Sequence, residues 1–110
     1  MRTIPKNLLI HSAVLSEIST DNTWQEEEKT VVAELSKIRI DTTSELVTTK
    51  DNRQVTLSAE LFYDCRNSRP KNLTFKQGQS VLWNDMEYVI ETVEPLYDGR
   101  KLHHYELGLI

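Results

Sequence analysis

The sequence predicts an all-β domain, a small antiparallel barrel or sandwich of about six strands with long loops. Apolar and polar residues alternate over residues 54–65, as they do in a half-buried strand. Two turn-forming dipeptides, Asn84-Asp85 and Asp98-Gly99, separate β-rich runs in the last third of the chain. No segment has an unambiguous helical period, and 110 residues are enough for one domain with a modest core.

The two turns also predict which residues pair. Taken as two-residue hairpin loops, they place Trp83 opposite Met86 and Tyr97 opposite Arg100. Opposed residues share a face, so this register gathers most apolar side chains of the region on one core-facing side. These residues are Val81, Trp83, Met86, Tyr88, Ile90, Tyr105, Leu107 and Leu109. The same register sets Glu91 opposite Glu106, which is unfavourable unless a cation lies between them.

The N-terminal part of the chain predicts two further strands. Residues 7–18 form the first, with one apolar face made of Leu8, Ile10, Val14 and Ile18. Residues 19–29 are polar, and for them a helix and a loop both stay open. For segment 30–41 a helix is the rival interpretation, but its β-branched residues favour a strand. Its apolar parity changes near Ser36-Lys37, which predicts a bulge there.

Two long connections are candidate functional regions. The first, residues 41–53, is polar around an apolar pair, and we interpret it as a loop. Its candidate residues are Asp41, Glu45, Leu46, Val47, Lys50 and Asp51. The second, residues 66–79, gathers positive charge that suits phosphates or an acidic partner surface. Its candidate interface residues are Arg66, Arg69, Lys71 and Lys76. Trp24 stands outside the periodic core and is either a barrel-end plug or an interface anchor.

Composition argues against several classes of protein. With 13 basic and 17 acidic residues the net charge is −4, which disfavours a general polyanion binder. A barrel that binds single-stranded nucleic acid stays open as the alternative, and it would need a basic face with exposed aromatic side chains. No apolar run approaches the length of a membrane span or of a signal-peptide core. A lone cysteine suits a reducing compartment.

The reactive side chains do not indicate an enzyme. Cys65 ends the buried face of its strand, with no glycine-rich turn around it, so we expect a small hydrophobic residue there and not a nucleophile. His103 and His104 are adjacent on a strand and are expected to point to opposite faces, so that they do not share a metal ion. The sequence therefore predicts no catalytic residue, no cofactor and no metal.

Three short patches, in the same order along the chain, carry a resemblance. Residues 61–70, which read LFYDCRNSRP, resemble a segment of minor capsid proteins encoded by phages and prophages of low-GC Gram-positive bacteria. Residues 38–41 resemble the second strand of that family, and parts of residues 88–107 resemble its C-terminal hairpin. The similarity covers most of the chain after about residue 30.

That family is similar to the head-completion and head–tail joining proteins of long-tailed phages. The resemblance implies one connector domain over residues 1–110, a β-barrel that assembles as a ring under the portal. It implies portal or adaptor proteins and tail-side connector proteins as partners, DNA that passes without sequence-specific binding, and no membrane. The implied location is the virion, with the host cytoplasm during assembly. By position, residues 41–53 would project into the channel and help retain the packaged genome.

Overall fold

Six β-strands make up most of the computed structural model, which describes residues 4–21 and 26–110. One turn of 3-10 helix, Lys6–Leu8, precedes them. The strands are β1 His11–Asp21, β2 Glu26–Thr48, β3 Gln54–Asp64, β4 Ser80–Trp83, β5 Met86–Asp98 and β6 Lys101–Leu109. Neighbouring strands are antiparallel, and the order β1-β2-β3-β6-β5-β4 closes into a barrel. The predicted all-β class is confirmed.

The barrel closes because its two longest strands each belong to both halves of the sheet. β2 pairs with β1 up to Ile38 and with β3 from Arg39 onward, while β5 pairs first with β4 and then with β6. Each corner has an irregularity: Lys37 of β2 has φ 53°, and Glu91 is an extra residue of β5. A bulge bends a strand and increases its twist, which lets one strand pass from one sheet to the other. The bulge predicted near Ser36-Lys37 is confirmed.

Every strand contributes side chains to the core. The core residues are Ala13, Leu15, Leu35, Ile38, Ile40, Ala59, Leu61, Tyr63, Phe75, Val81, Tyr88, Ile90, Leu107 and Leu109. On β3 the predicted alternation is confirmed, because Leu57, Ala59 and Leu61 are buried and the residues between them are more exposed. Asp64, a polar residue that this alternation predicts on the outer face, is buried as well because the next loop covers it.

The apolar face predicted for residues 7–18 is wrong. Leu9, Ala13 and Leu15 are buried, whereas Ile10 is 66% exposed and Leu8 is 45% exposed. The helical turn interrupts the alternation, and β1 begins only at residue 11, so the earlier leucines and isoleucine do not set the parity of the strand.

Residues 19–29, for which a helix and a loop both stayed open, belong to strands wherever they are described. β1 and β2 remain paired as far as Asp21 and Glu26, while β4 pairs with β1 only from Val14 to Ser16. Residues 17–21 and 26–30 therefore project from the barrel as a two-stranded ribbon, which we call the arm. Trp24 lies outside the described residues.

The first C-terminal hairpin is as predicted and the second is not. Asn84 and Asp85 have φ of 54° and 62°, the pattern of a type I′ turn, and Trp83 pairs with Met86. In the second hairpin the central residues are Gly99 and Arg100, and of these only the glycine has a positive φ, 63°. That pattern fits a type II′ turn. The predicted pairing of Tyr97 with Arg100 is therefore wrong, and so is the rest of that register.

Most of the predicted core face survives this shift. The extra residue Glu91 reverses the parity of β5, so Ile90 and Val93 both turn toward the core. Leu109 then lies opposite Ile90, and Leu107 opposite Val93. The exception is Met86, which is 58% exposed beside the first turn.

The loop predicted at residues 41–53 is also wrong. β2 continues to Thr48 and β3 begins at Gln54, so only residues 49–53 make the turn. Most side chains of β2 after residue 40 face solvent, which explains a polar sequence without any loss of strand structure. Their threonines have good strand propensity. The segment that resembled a loop is the end of a β-hairpin.

Candidate interaction surfaces

A buried carboxylate fixes the loop that follows β3. Asp64 is fully buried, and its Oδ1 accepts a hydrogen bond of 2.9 Å from the backbone N–H of Arg66. Its Oδ2 accepts one of 2.9 Å from the N–H of Ile4 and one of 3.4 Å from the side-chain amide of Asn67. A buried charge is tolerated only when donors surround it, as they do here. Asp64 thus ties the N-terminal segment to the end of β3.

Ser68 and Arg69 attach the same loop to β2. The Ser68 hydroxyl accepts from the N–H of Asp64 at 2.9 Å and donates to the carbonyl of Lys37 at 2.5 Å. Arg69 and Ser36 exchange two backbone hydrogen bonds of 3.0 Å. Much of the LFYDCRNSRP segment therefore serves to build this connection. Sequence reasoning missed that role, because it depends on partners more than thirty positions away.

The candidate interface residues Arg66, Arg69, Lys71 and Lys76 are all exposed on one loop, residues 66–76, which we call the basic loop. Two of these side chains already have partners. The Arg69 guanidinium donates to the carbonyls of Arg66 and Ser68 at 3.1 and 3.0 Å, and Lys76 Nζ lies 3.9 Å from Glu17 in the arm. Arg66 and Lys71 line a cleft of about 450 Å³ beside β6.

An acidic groove lies on the outer surface of β2, β3, β6 and β5. Its volume is about 340 Å³, and its glutamates are Glu45, Glu60, Glu94 and Glu106. Gly108 keeps it open, since a Cβ there would lie 2.9 Å from Leu57 and closer still to Thr92. Of its glutamates, sequence reasoning named only Glu45 as a site residue. The sequence placed only Glu60 and Glu106 on the outward face of a strand, and the pairing of four strands is what brings all four glutamates together.

The glutamates of this acidic groove repel one another. Burial and the neighbouring Glu45 carboxylate raise the pKa of Glu60 above its ordinary value. Glu94 and Glu106 lie directly opposite each other on β5 and β6. The predicted pairing of Glu91 with Glu106 is therefore wrong, because Glu94 and not Glu91 lies opposite Glu106. This groove is the opposite of the basic face that a single-strand-binding barrel needs.

The turn between β2 and β3, residues 49–53, is held against the barrel, and we call it the β2–β3 tip. Thr49 N–H donates to the carbonyl of Arg53 at 2.8 Å. Arg53 forms ion pairs with Asp51 at 3.0 Å and with Glu91 at 2.9 Å, and the Glu91 side chain is only 9% exposed. Hydrogen bonds from Thr49 and Arg53 lower the pKa of Asp51.

The candidate residues predicted for this region fall on both parts of the hairpin. Lys50 and Asp51 belong to the β2–β3 tip and are exposed. The remaining candidates lie on β2, where Val47 is half-buried and the others, Asp41, Glu45 and Leu46, are exposed.

The two adjacent histidines meet, contrary to prediction. β6 has one residue more than β5 at His103, and such a bulge re-aims a side chain. The Nδ1 atoms of His103 and His104 lie 2.7 Å apart, so one of them must carry a proton. His104 Nε2 lies 3.3 Å from Glu106 Oε1, and a carboxylate only accepts. The two imidazole rings and the Glu106 carboxylate therefore form one connected polar group on β6.

Cys65 has the character of a structural thiol. It is half-buried beside the same cleft as Arg66 and packs against the core. Burial, with added repulsion from Asp64, raises the pKa of the Cys65 thiol. A higher pKa means less thiolate, the form that reacts.

No three or more His, Cys, Asp or Glu side chains in residues 4–21 and 26–110 are arranged to hold a metal ion. Across the same described ranges, no helix is long and apolar enough to cross a membrane.

The chain matches the family described as minor capsid protein over residues 5–109. No curated protein and no solved structure matches it. Because the match spans nearly the whole barrel, the chain belongs to the minor capsid protein family. Proteins of this kind are structural components of the virion, and the virion is where this protein is located.

Proposed function

We propose that this minor capsid protein is the head-completion or head–tail joining protein of a phage or prophage of Gram-positive bacteria. Copies that fold in the host cytoplasm assemble as a ring under the portal, close the filled head and connect the tail. Portal or adaptor proteins and tail-side connector proteins are the partners. The observation that carries the proposal is the family match over residues 5–109, together with the resemblance of this family to connector proteins.

The acidic groove is an argument that the proposed ring surrounds a channel through which DNA passes. Protein–DNA affinity comes largely from cations that neutralise phosphates, and a wall of carboxylates offers none. Four glutamates on adjoining strands would therefore let DNA pass without binding it. A net charge of −4 acts in the same direction over the whole subunit.

The end of the β2–β3 hairpin is the proposed gate that retains the packaged genome. Leu46 is 64% exposed near this end, so it is available to contact neighbouring copies in a ring. Asp41, Glu45 and Asp51 keep the surrounding surface negative, which prevents the gate from binding phosphate.

The function is tested by deleting the gene in the phage or prophage that encodes it and examining the lysate by electron microscopy. We expect DNA-filled heads and free tails that do not join, with tailed particles restored when the gene is supplied in trans. Normal numbers of tailed, infectious particles in the deletion strain would show that the protein is not a joining protein.

A further inference from the structure

We propose that the arm of one copy docks on the basic loop of the next copy, and that this contact holds the ring together. The proposal rests on the proposed function, because it names the partner surfaces inside the proposed ring. It concerns residues 17–21 and 26–30 on one side and residues 66–76 on the other.

In the part of the chain that the structure describes, the arm has no third strand beside it. Beyond Ser16 no described strand pairs with the outer edge of β1, and along β2 the first partner on the outer side is Arg69, at Ser36. Isolated two-stranded ribbons are marginally stable, and free edges are templates for another chain. Val31 and Val32, at the base of the arm, are 61% and 41% exposed, so docking would also cover apolar surface.

The charges of the arm and the basic loop are complementary. The acidic residues of the arm are Glu17, Asp21, Glu26, Glu27 and Glu28. Its lysine, Lys29, forms an ion pair with Glu87 of β5, and this contact lowers the pKa of Glu87. The basic loop carries four cations, and one of them, Lys76, already approaches Glu17 in the same chain. Complementary charges of this kind steer association and fix register.

The geometry favours a second copy over the same chain. The basic loop sits at the base of its own arm, as the contacts of Lys76 with Glu17 and of Arg69 with Ser36 show. The paired part of the arm extends about 17 Å beyond Ser16, at roughly 3.3 Å per residue. The acidic residues at its far end are thus carried away from their own loop. A contact between two different surfaces of identical subunits is heterologous, and it closes into a ring when the rotation permits.

The test is charge reversal in the phage, followed by purification of particles and immunoblotting for the protein. Arg66 and Lys71 are suitable because both are exposed and neither side chain holds the loop in place. We expect Arg66→Glu with Lys71→Glu to lower incorporation into particles by about tenfold or more. Adding Glu27→Lys and Glu28→Lys should restore it. The matched control, Lys6→Glu with Arg100→Glu, changes the net charge equally and should be incorporated normally.

Circular dichroism melting of each purified variant separates lost docking from lost folding. Wild-type incorporation of the Arg66→Glu, Lys71→Glu variant would overturn the inference while leaving the joining function intact. A loss that the arm reversals do not restore would also overturn it, because the loop would then bind another protein. Failure of the joining function itself would appear differently, as normal tailed particles in the gene deletion.

Discussion

At the scale of single residues, Asp64 shows how one side chain determines the path of a loop. Two donors from the loop after β3 and one from the N-terminal segment converge on its buried carboxylate. Asp64, at the end of β3, thus fixes the positions of the N-terminal segment and of the start of the basic loop.

Asp64→Ala should therefore destabilise the barrel by roughly 3 kcal/mol, since each buried donor left without a partner costs about 1–3 kcal/mol. Urea unfolding measures the change. The control is Glu34→Ala, an exposed carboxylate on β2, which should stay within about 0.5 kcal/mol of wild type. Equal effects of the two substitutions would mean that the Asp64 network does not stabilise the fold.

Glu60 is expected to lower stability instead, because burial and the neighbouring carboxylates disfavour its negative charge. Its pKa is raised in the folded protein, so the folded state holds the proton more tightly than the unfolded state. Stability then falls as pH rises from the ordinary value of 4.5 through the raised one. Glu60→Gln should raise the melting temperature at pH 7, and this gain should disappear below about pH 4. Glu34→Gln, the exposed control, should give no such gain, and a Glu60→Gln gain that does not vary with pH would contradict the explanation.

At the scale of structural elements, an aromatic cluster joins the long loop after β3 to the core. Tyr63 of β3 and Tyr105 of β6 surround Phe75 of the loop, with ring centroids 5.2 Å from Phe75 in each case. The Tyr63 hydroxyl donates to the carbonyl of Pro70. Trp83, by contrast, lies near the barrel wall, half-buried, with its ring 5.0 Å from His11.

Tyr63→Ala should consequently lower the free energy of unfolding by more than Trp83→Ala does, although Trp83 is the larger residue. Truncating a fully buried aromatic side chain typically costs about 3–5 kcal/mol, and a half-buried one should cost less. Paired urea titrations of the two variants decide the order. A larger loss of unfolding free energy for Trp83→Ala would mean that the β4–β5 hairpin contributes more to stability than the aromatic cluster does.

At the scale of the whole molecule, charge is segregated. The acidic groove occupies the outside of the β2, β3, β6 and β5 half, while the basic loop lies at the base of the arm. In the proposed ring the basic loop would contact the arm of the next copy, which would leave the acidic groove free to face DNA.

The proposed gate can be tested by shortening the β2–β3 hairpin by two residue pairs. Leu46 pairs with Thr56 and Val47 with Val55, so deleting all four keeps the alternation of faces and the turn itself. Heads should still join tails, but filled heads should lose DNA on storage, measured as DNA released into a nuclease-accessible form. The control variant, Arg53→Gln, removes the ion pair with Glu91 without changing the length. If the shortened variant retains DNA as wild type does, the hairpin is not a gate.

The sequence by itself determined the features whose causes lie within one strand or one turn. Alternation fixed β3, and Asn84-Asp85 fixed the first C-terminal hairpin, because both residues occupy the positive-φ region that a type I′ turn requires. The parity change near Ser36-Lys37 located the bend in β2. The resemblance carried by LFYDCRNSRP pointed to the family that the chain matches.

Only the tertiary structure decided what depends on how distant strands pair. The bulges at Glu91 and His103 change the register of β5 and β6, and the turn dipeptides from which the register was predicted indicate neither of them. The acidic groove exists because closure of the barrel aligns glutamates from four strands. Residues 41–48 are as polar as a loop because six of their eight side chains are exposed, and a polar sequence indicates exposure to solvent without distinguishing a strand from a loop.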